Sequence, residues 1–258
     1  MKGPFESYPG SKNGDGTFHT IINRIPAHRY YLEGCLGGGA IFRKKRLAEK
    51  SILLDASPRV VAKWDEWLKE QANETPAFES CEVQVFDIVV FLMGILKYQW
   101  LPNIYEVFVY IDPPYPMISR SGKVLYDEFE WDEKKHKKLL SILTSEEVKF
   151  RWMLSTYPNP WYGQALKGYH SHTFEAMTRG GKRIEQIYMN YDPERTPLHD
   201  YRYFGENFHR RDKFKVKRRR NLARFEKLPF HQRFALLQEL QQRFPTCFTQ
   251  KAKQDRPS

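Results

Sequence analysis

Short apolar runs alternate with helix-like stretches along residues 29–191, and each run is bounded by a turn or helix signal. The runs predict strands at residues 29–34, 51–55, 82–87, 107–112 and 148–156. Between them, helical spacing or composition predicts helices at residues 40–50, 57–73, 88–98 and 131–145. Residues 172–191 contain two more strand-like runs on either side of Gly180-Gly181, a good hairpin signal. Repeated strand–helix units closed by a hairpin predict an α/β fold, a mostly parallel sheet with helices on both faces.

The pattern changes after residue 193. Residues 209–220 hold eight Lys or Arg residues and one acid, and residues 230–244 have the spacing of an amphipathic helix. We therefore predict a domain at residues 1–193 and a basic, helical C-terminal extension at residues 194–258.

The charge balance favours a polyanionic partner. The chain carries 42 Lys and Arg residues against 31 Asp and Glu residues, a formal net charge of +11. Membrane, secreted and metal-binding proteins are disfavoured. The longest apolar run, residues 88–96, is too short to span a bilayer, and the first residues lack the apolar segment of a signal peptide. Cys35, Cys81 and Cys247 match no metal spacing, so we expect reduced thiols, a cytoplasmic location, no membrane partner and no metal.

The fourth strand stops abruptly on Asp112-Pro113-Pro114-Tyr115. Proline has no backbone N–H and a fixed φ, so neither proline continues a central strand. The tetrapeptide is therefore rigid and places an acid and an aromatic ring at the carboxyl end of a strand, where open α/β sheets bind their ligands.

Three earlier strands also end on candidate ligand-binding residues. Residues 37–39, all glycine, follow the first strand and resemble a nucleotide loop without the G-x-G-x-x-G spacing; a simple tight turn is the alternative. Asp55 ends the second strand, where it can bind ribose hydroxyls or cap the helix that begins at Ser57-Pro58. Asp87 ends the third strand, where it can bind an adenine amine or act as a helix N-cap.

In this order, glycine loop, acid, acid and Asp-Pro-Pro-Tyr resemble the S-adenosylmethionine-dependent amino methyltransferases. More narrowly, the chain resembles the Dam-type DNA adenine-N6 methyltransferases, because three further stretches match that family. They are YPGSK at 8–12, MLSTY at 153–157 and RIEQIYMNYDP at 183–193. The resemblance covers residues 7–193 and implies a Rossmann-like methyltransferase sheet with S-adenosyl-L-methionine as cofactor.

The resemblance also implies residue roles. Asp112 and the Pro113 carbonyl would accept the two N–H bonds of adenine N6, Pro114 would help to fix that carbonyl, and Tyr115 would stack on the flipped base. Residues implied at the cofactor are Tyr8, Gly10, Ser11, Lys12, Glu33, Gly37, Gly38, Gly39, Asp55, Asp87 and Ile88. Of these, Glu33 would lie near the ammonium group. The family usually has phenylalanine where this chain has Cys35.

Target recognition is where the resemblance ends. Dam-type enzymes usually carry a recognition domain between the third-strand acid and Asp-Pro-Pro-Tyr, but Asp87 and Asp112 are only 25 positions apart. We therefore predict that duplex DNA, with its target adenine flipped out, is bound by other segments. The candidates are Arg120, Lys123, Tyr157, Asn159, Trp161, Lys217, Arg218, Arg219 and Arg220. The basic ones among them suit phosphate contacts.

Alternatives remain open at this point. An RNA base methyltransferase uses similar motifs, and a catalytically silent nucleic-acid-binding subunit would keep the same fold. A protein-glutamine methyltransferase would favour asparagine at the position of Asp112. The helix at residues 230–244 leaves a homodimer or a partner subunit open.

Overall fold

One sheet of seven strands forms the centre of the part of the chain that the structure, a computed structural model, describes. The described residues are 2–14, 16–98, 104–119, 126, 129–178 and 181–245. The strands are β1 Tyr30–Gly34, β2 Lys50–Asp55, β3 Cys81–Val85, β4 Val107–Ile111, β5 Arg151–Thr156, β6 His170–Thr178 and β7 Gly181–Met189. Their order in the sheet is β3-β2-β1-β4-β5-β7-β6.

The first five strands are parallel, whereas β7 runs antiparallel to both β5 and β6. The β6–β7 hairpin thus closes a parallel sheet, as the sequence predicts. This is a Rossmann-like methyltransferase sheet, and the predicted fold class is confirmed.

Helices cover both faces of the sheet. In chain order, the helices of the described residues are α1 Thr17–Ile22, α2 Ala40–Lys44, α3 Pro58–Glu74, α4 Ile88–Tyr98, α5 Glu133–Leu143, α6 Pro160–Ala165, α7 Phe208–Glu226 and α8 Phe230–Arg243. No helix within the described residues is long and apolar enough to cross a membrane.

The central strand β4 separates two apolar cores. Val107, Val109 and Ile111 pack into one core with α4 and α5, while Phe108 and Tyr110 pack into the other with α2 and α3. Side chains alternate between the faces of a strand, so a strand covered on both faces must be apolar throughout. All five residues of β4 are buried, which explains the uninterrupted apolar run in the sequence.

The helix predicted over residues 40–50 is wrong in its length. Helix α2 has five residues, and Lys45 after it is extended, with φ −74° and ψ 163°. The chain leaves the helix there because the Arg46 amide donates to a carboxylate oxygen of Asp200 at 2.9 Å. Residues beyond this point instead lead into β2.

The segment at residues 197–203 lies across the amino end of the parallel strands. The Ala27 amide donates to the Pro197 carbonyl at 2.8 Å, and the His199 amide donates to the Ile25 carbonyl at 3.0 Å. Residues 25–27 lead into β1, so this contact is at the sheet edge opposite to Asp112. Helices α7 and α8 follow, and neither contains a buried residue. The domain boundary at residues 193–194 stays a prediction.

Candidate active site at the carboxyl edge of the sheet

The Asp-Pro-Pro-Tyr segment begins where β4 ends, at the centre of the carboxyl edge. The Asp112 amide donates to the Gly34 carbonyl at 3.3 Å, which ties the end of β4 to the end of β1. Beyond Asp112, the two prolines and Tyr115 are buried. The chain therefore holds the acid and the aromatic ring in a fixed position at the end of the sheet.

Asp112 is paired with a buried lysine from the N-terminal segment. The Nζ of Lys12 lies 2.8 Å from Asp112 Oδ2 and also donates to the Gly10 carbonyl at 3.1 Å. Burial alone would lower the pKa of Lys12, but the charges of Asp112 and Glu185 outweigh it and raise that pKa. Burial raises the pKa of Asp112, and Lys12, with a smaller contribution from the Tyr115 hydroxyl, opposes this rise. The ion pair therefore favours the ionised carboxylate.

The second carboxylate oxygen of Asp112, Oδ1, differs from Oδ2 in its hydrogen bonding. Oδ1 is buried, and no hydrogen-bond partner for it is found among the described residues. A buried acceptor without a donor costs about 1–3 kcal/mol. Such an atom at the end of a central strand is a candidate acceptor for a substrate N–H group.

Tyr115 lies within the same cluster. Its ring contacts Tyr157 edge to face, with the centroids 4.4 Å apart, and the Nζ of Lys12 lies 4.9 Å from the ring centroid. Its hydroxyl donates to Glu185 Oε2 at 3.4 Å. Two aromatic rings therefore lie next to the carboxylate, where a flat base is able to stack.

Glu185 is a site residue that the sequence analysis missed. It lies on β7, is buried, and has its Oε2 3.9 Å from the Nζ of Lys12. Burial raises the pKa of its carboxyl group, and Lys12 opposes the rise. Glu185, Ile187 and Met189 are alternate buried positions of one strand. An acid in register with two core residues is the signal that was available in the sequence.

The glycine loop is fixed by the acid at the end of β2. The Gly37 amide donates to Asp55 Oδ2 at 2.8 Å, and the Ser57 amide donates to Asp55 Oδ1 at 2.9 Å. Asp55 therefore closes the turn before α3 and orders the glycine loop, but α3 itself begins at the N-cap Ser57 without a side-chain cap, so the helix-cap alternative is wrong. Each carboxylate oxygen keeps a lone pair, so a ribose contact stays a prediction.

The N-terminal segment packs directly on the glycine loop. A Cβ atom at Gly37 would lie 2.5 Å from Tyr8 Cε1, and one at Gly38 would lie 3.1 Å from Ser11 Oγ. At Gly37, where φ is +48°, only glycine allows this approach, whereas a Cβ atom at Gly38 would require Tyr8 and Ser11 to shift slightly. The structure thus brings Tyr8, Ser11 and the glycine loop together beside Lys12, and this cradle fits the predicted cofactor-binding role.

Glu33 is buried at the end of β1. Its Oε2 accepts a hydrogen bond from the Tyr31 hydroxyl at 2.6 Å, and burial raises the pKa of its carboxyl group to about 7. Burial lowers the pKa of the nearby Lys45, also to about 7, against the opposing charge of Glu33. Glu33 therefore has partners within the protein, and its predicted place near the cofactor ammonium stays a prediction.

Asp87 caps a helix. Its Oδ1 accepts from the Val89 amide at 2.8 Å in the first turn of α4, and its carboxylate forms an ion pair with Lys135. This is the alternative role that the sequence allowed. The neighbouring Ile88 packs so closely on Gly34 that a Cβ atom there would lie 2.5 Å from Ile88 Cγ1. Contacts of Asp87 and Ile88 with a cofactor stay predictions.

The predicted nucleic-acid residues are dispersed. Arg120 and Lys123 lie outside the described residues. Tyr157 is part of the site, but Asn159 caps α6 through Oδ1 and donates its amide to Thr156 Oγ1 and the Tyr157 carbonyl. Trp161 packs against the core. The remaining four lie exposed on α7: Lys217, Arg218, Arg219 and Arg220.

The sheet order, the glycine loop held by Asp55, and an Asp-Pro-Pro-Tyr segment at the carboxyl edge together define a protein with the Rossmann-like methyltransferase fold. No protein-family model matches the chain. No curated protein matches it either. Among the described residues, no three His, Cys, Asp or Glu side chains are grouped as metal ligands.

Solved structures resemble the chain only remotely. One is a precorrin 8w decarboxylase from Methanobacterium thermoautotrophicum, with 11% identity, 73% of this chain and 94% of that chain covered, and a TM-score of 0.42. Another is an rRNA methylase from Streptococcus thermophilus, with 11% identity, 67% and 92% coverage, and a TM-score of 0.40. A third is a SAM-dependent methyltransferase from Agrobacterium tumefaciens, with 15% identity, 68% and 59% coverage, and a TM-score of 0.42. Similarity at this level supports no conclusion about substrate or cofactor.

Proposed function

We propose that the protein transfers a methyl group from S-adenosylmethionine to the N6 amine of adenine in DNA. The observation that carries this proposal is the buried, unpartnered Oδ1 of Asp112 at the end of the central strand, beside the rings of Tyr115 and Tyr157. An acceptor and a stacking surface at one point suit a flat base with an exocyclic amine.

The amine needs help to react, because its lone pair is delocalised into the adenine ring. Asp112 Oδ1 accepts one N–H bond of the amine, and the Pro113 carbonyl accepts the other. Two acceptors draw the nitrogen towards a tetrahedral form, in which the lone pair is free to attack. This is a positioning and electrostatic effect, strengthened by the buried surroundings.

The remaining residues of the site keep this arrangement in place. Lys12 holds Asp112 ionised and fixes Oδ2, so that Oδ1 stays available to the base. S-adenosylmethionine, when bound, supplies the electrophilic methyl group. Tyr8, Ser11 and the glycine loop are the residues of this chain that would hold it.

The choice of DNA rests on the order of the motifs in the sequence. YPGSK, Asp-Pro-Pro-Tyr and RIEQIYMNYDP stand in the Dam-type order, and both the buried lysine and the buried glutamate of the site belong to these stretches. RNA amino groups present the same chemistry to Asp112, so the test must include RNA.

The experiment is transfer of labelled methyl from S-adenosylmethionine to unmethylated duplex DNA, with structured RNA in parallel, followed by nuclease digestion and nucleoside identification. A duplex of the same sequence with every adenine already N6-methylated is the matched control. We expect labelled N6-methyladenine from the unmethylated duplex and no label in the control. Label confined to RNA, or at another base, would overturn the proposal.

A further inference from the structure

Among the described residues, little covers the basic helix α7 apart from Phe204, whose ring centroid lies 4.7 Å from that of Phe214. The 19 residues of α7 contain nine Lys or Arg residues and two acids, and none of its residues is buried. It begins beyond Gly205, whose carbonyl accepts from Asn23 Nδ2 at 3.3 Å. This attachment, like the segment at residues 197–203, lies at the amino edge of the sheet, opposite to Asp112.

The charges of α7 surround the helix. Successive residues of an α-helix are turned by about 100°, so Arg210 and Arg219, nine residues apart, lie on opposite sides. The same spacing separates Arg211 from Arg220. Like charges four residues apart, such as Arg211 with Lys215 and Lys215 with Arg219, destabilise an isolated helix. The helix therefore favours a binding partner that places negative charge on more than one side of it.

We propose that α7 lies in the major groove of duplex DNA, with its cations on the phosphates of both groove walls. A membrane or an acidic protein surface neutralises one face of a helix. A groove about 12 Å wide accepts a helix and has phosphates on both sides. The helix is about 28 Å long by its rise per residue, so it extends well beyond the width of the groove.

The position of α7 shows where this groove contact lies relative to the proposed active site. Strand β1 is five residues long and so separates the two sheet edges by roughly 17 Å. The attachment of α7 lies at the far edge from Asp112. The helix therefore binds nucleic acid outside the segment that carries the target base, and it adds affinity without contacting that base. This part of the inference rests on the proposed function; the groove contact itself does not.

The test measures binding of the full chain, without cofactor, to a 30-base-pair duplex (about 100 Å) over a series of salt concentrations. The variant is Arg218→Gln, Arg219→Gln and Arg220→Gln together. A matched control removes three exposed lysines elsewhere: Lys50→Gln, Lys69→Gln and Lys97→Gln. Circular dichroism and melting temperature verify that both triple variants are folded.

We expect the α7 variant to bind the duplex more weakly, with its log–log salt slope reduced by about 2–3, since each lost phosphate contact removes about 0.9. The control variant should keep the slope of the parent chain. Dimethyl sulfate should modify guanine N7, which faces the major groove, less in the complex with the parent chain than with the α7 variant.

Three results would overturn the inference: an unchanged salt slope for the α7 variant, an equal loss for the control, or salt-sensitive binding to anionic lipid vesicles that matches binding to the duplex. If the slope falls as expected while no methyl transfer to DNA is ever detected, the groove contact holds and the proposed reaction fails. The two proposals are thus tested separately.

Discussion

The Nζ of Lys12 lies 2.8 Å from Asp112 Oδ2 and thereby joins the N-terminal segment to the end of the central strand. The two residues are a hundred positions apart, and both side chains are largely removed from solvent. Because Lys12 also faces Glu185 at 3.9 Å, one ammonium group offsets two buried carboxylates. The charge state of the site therefore depends on Lys12.

Replacing Asp112 tests the proposed acceptor directly. Asp112→Ala removes Oδ1 but leaves Glu185 as a counter-charge for Lys12, so the variant should fold. We expect methyl transfer to fall by at least about 100-fold, the usual loss when one electrostatic group of a site is deleted. S-adenosylmethionine binding, measured by calorimetry, should remain. Turnover within a few fold of the parent chain would show that Asp112 has another role.

Replacing Lys12 tests the electrostatic link. In Lys12→Met the lysine no longer opposes the effect of burial, so the pKa of Asp112 should rise further. A larger share of Asp112 is then protonated near neutral pH, and the rate of methyl transfer should fall there and recover as the pH is raised. Lys12→Arg, which keeps the charge, is the control. A pH–rate profile of Lys12→Met that is lower but unshifted would contradict this account.

Glu185 is expected to act through its neighbours. Its Oε2 accepts from the Tyr115 hydroxyl at 3.4 Å, so Glu185→Ala should loosen the ring that the base would stack on. We expect the KM for DNA to rise more than kcat falls. Glu185→Gln keeps an acceptor for the hydroxyl and should restore much of the KM. If Glu185→Ala and Glu185→Gln raise the KM equally, the role of Glu185 is instead to balance the charge of Lys12.

How much of the structure could be predicted from the sequence depends on how far apart in the chain the interacting residues lie. Local patterns were sufficient for the strands, because each apolar run carries its own stop signal, as at Asp112-Pro113. They failed for α2, whose end at Lys44 depends on Asp200, a residue more than 150 positions away. They also failed for Glu185, because strand register across the sheet decides what that acid faces. Interactions distant in sequence leave only weak local signals.

The packing of the glycine loop gives a stability prediction. Gly39 has φ +53°, and a Cβ atom there would clash with Trp64 Cζ2. Gly39→Ala combines left-handed backbone strain with overpacking, about 1–2 and 1–3 kcal/mol respectively. Gly168→Ala is the matched control, because Gly168 has φ +91° and nothing lies within 4 Å of a Cβ atom there. Urea unfolding should show a clearly larger loss for Gly39→Ala; similar losses would mean that Trp64 moves aside easily.

Two stacked histidines at the amino edge of the sheet predict how the free energy of unfolding depends on pH. The rings of His28 and His199 lie 3.8 Å apart, and the His199 Nε2 donates to the Arg46 carbonyl at 3.0 Å. Burial, with the charge of Lys45, lowers the pKa of His199 from 6.5 to about 4. Between these two values the unfolded chain binds a proton at His199 and the folded chain does not. Acidification through this window therefore stabilises the unfolded state, by at most about 1.4 kcal/mol per pH unit.

His199→Gln isolates this contribution, because glutamine also has an N–H group for the Arg46 carbonyl and does not titrate. Other groups shape the pH dependence of both proteins, so the difference between them is the quantity to measure. Urea unfolding of the parent chain and of His199→Gln should be compared at pH 7.5 and pH 4.5. Relative to the variant, the parent chain should lose stability at pH 4.5, and a constant difference between the two would show that His199 titrates normally in the folded protein.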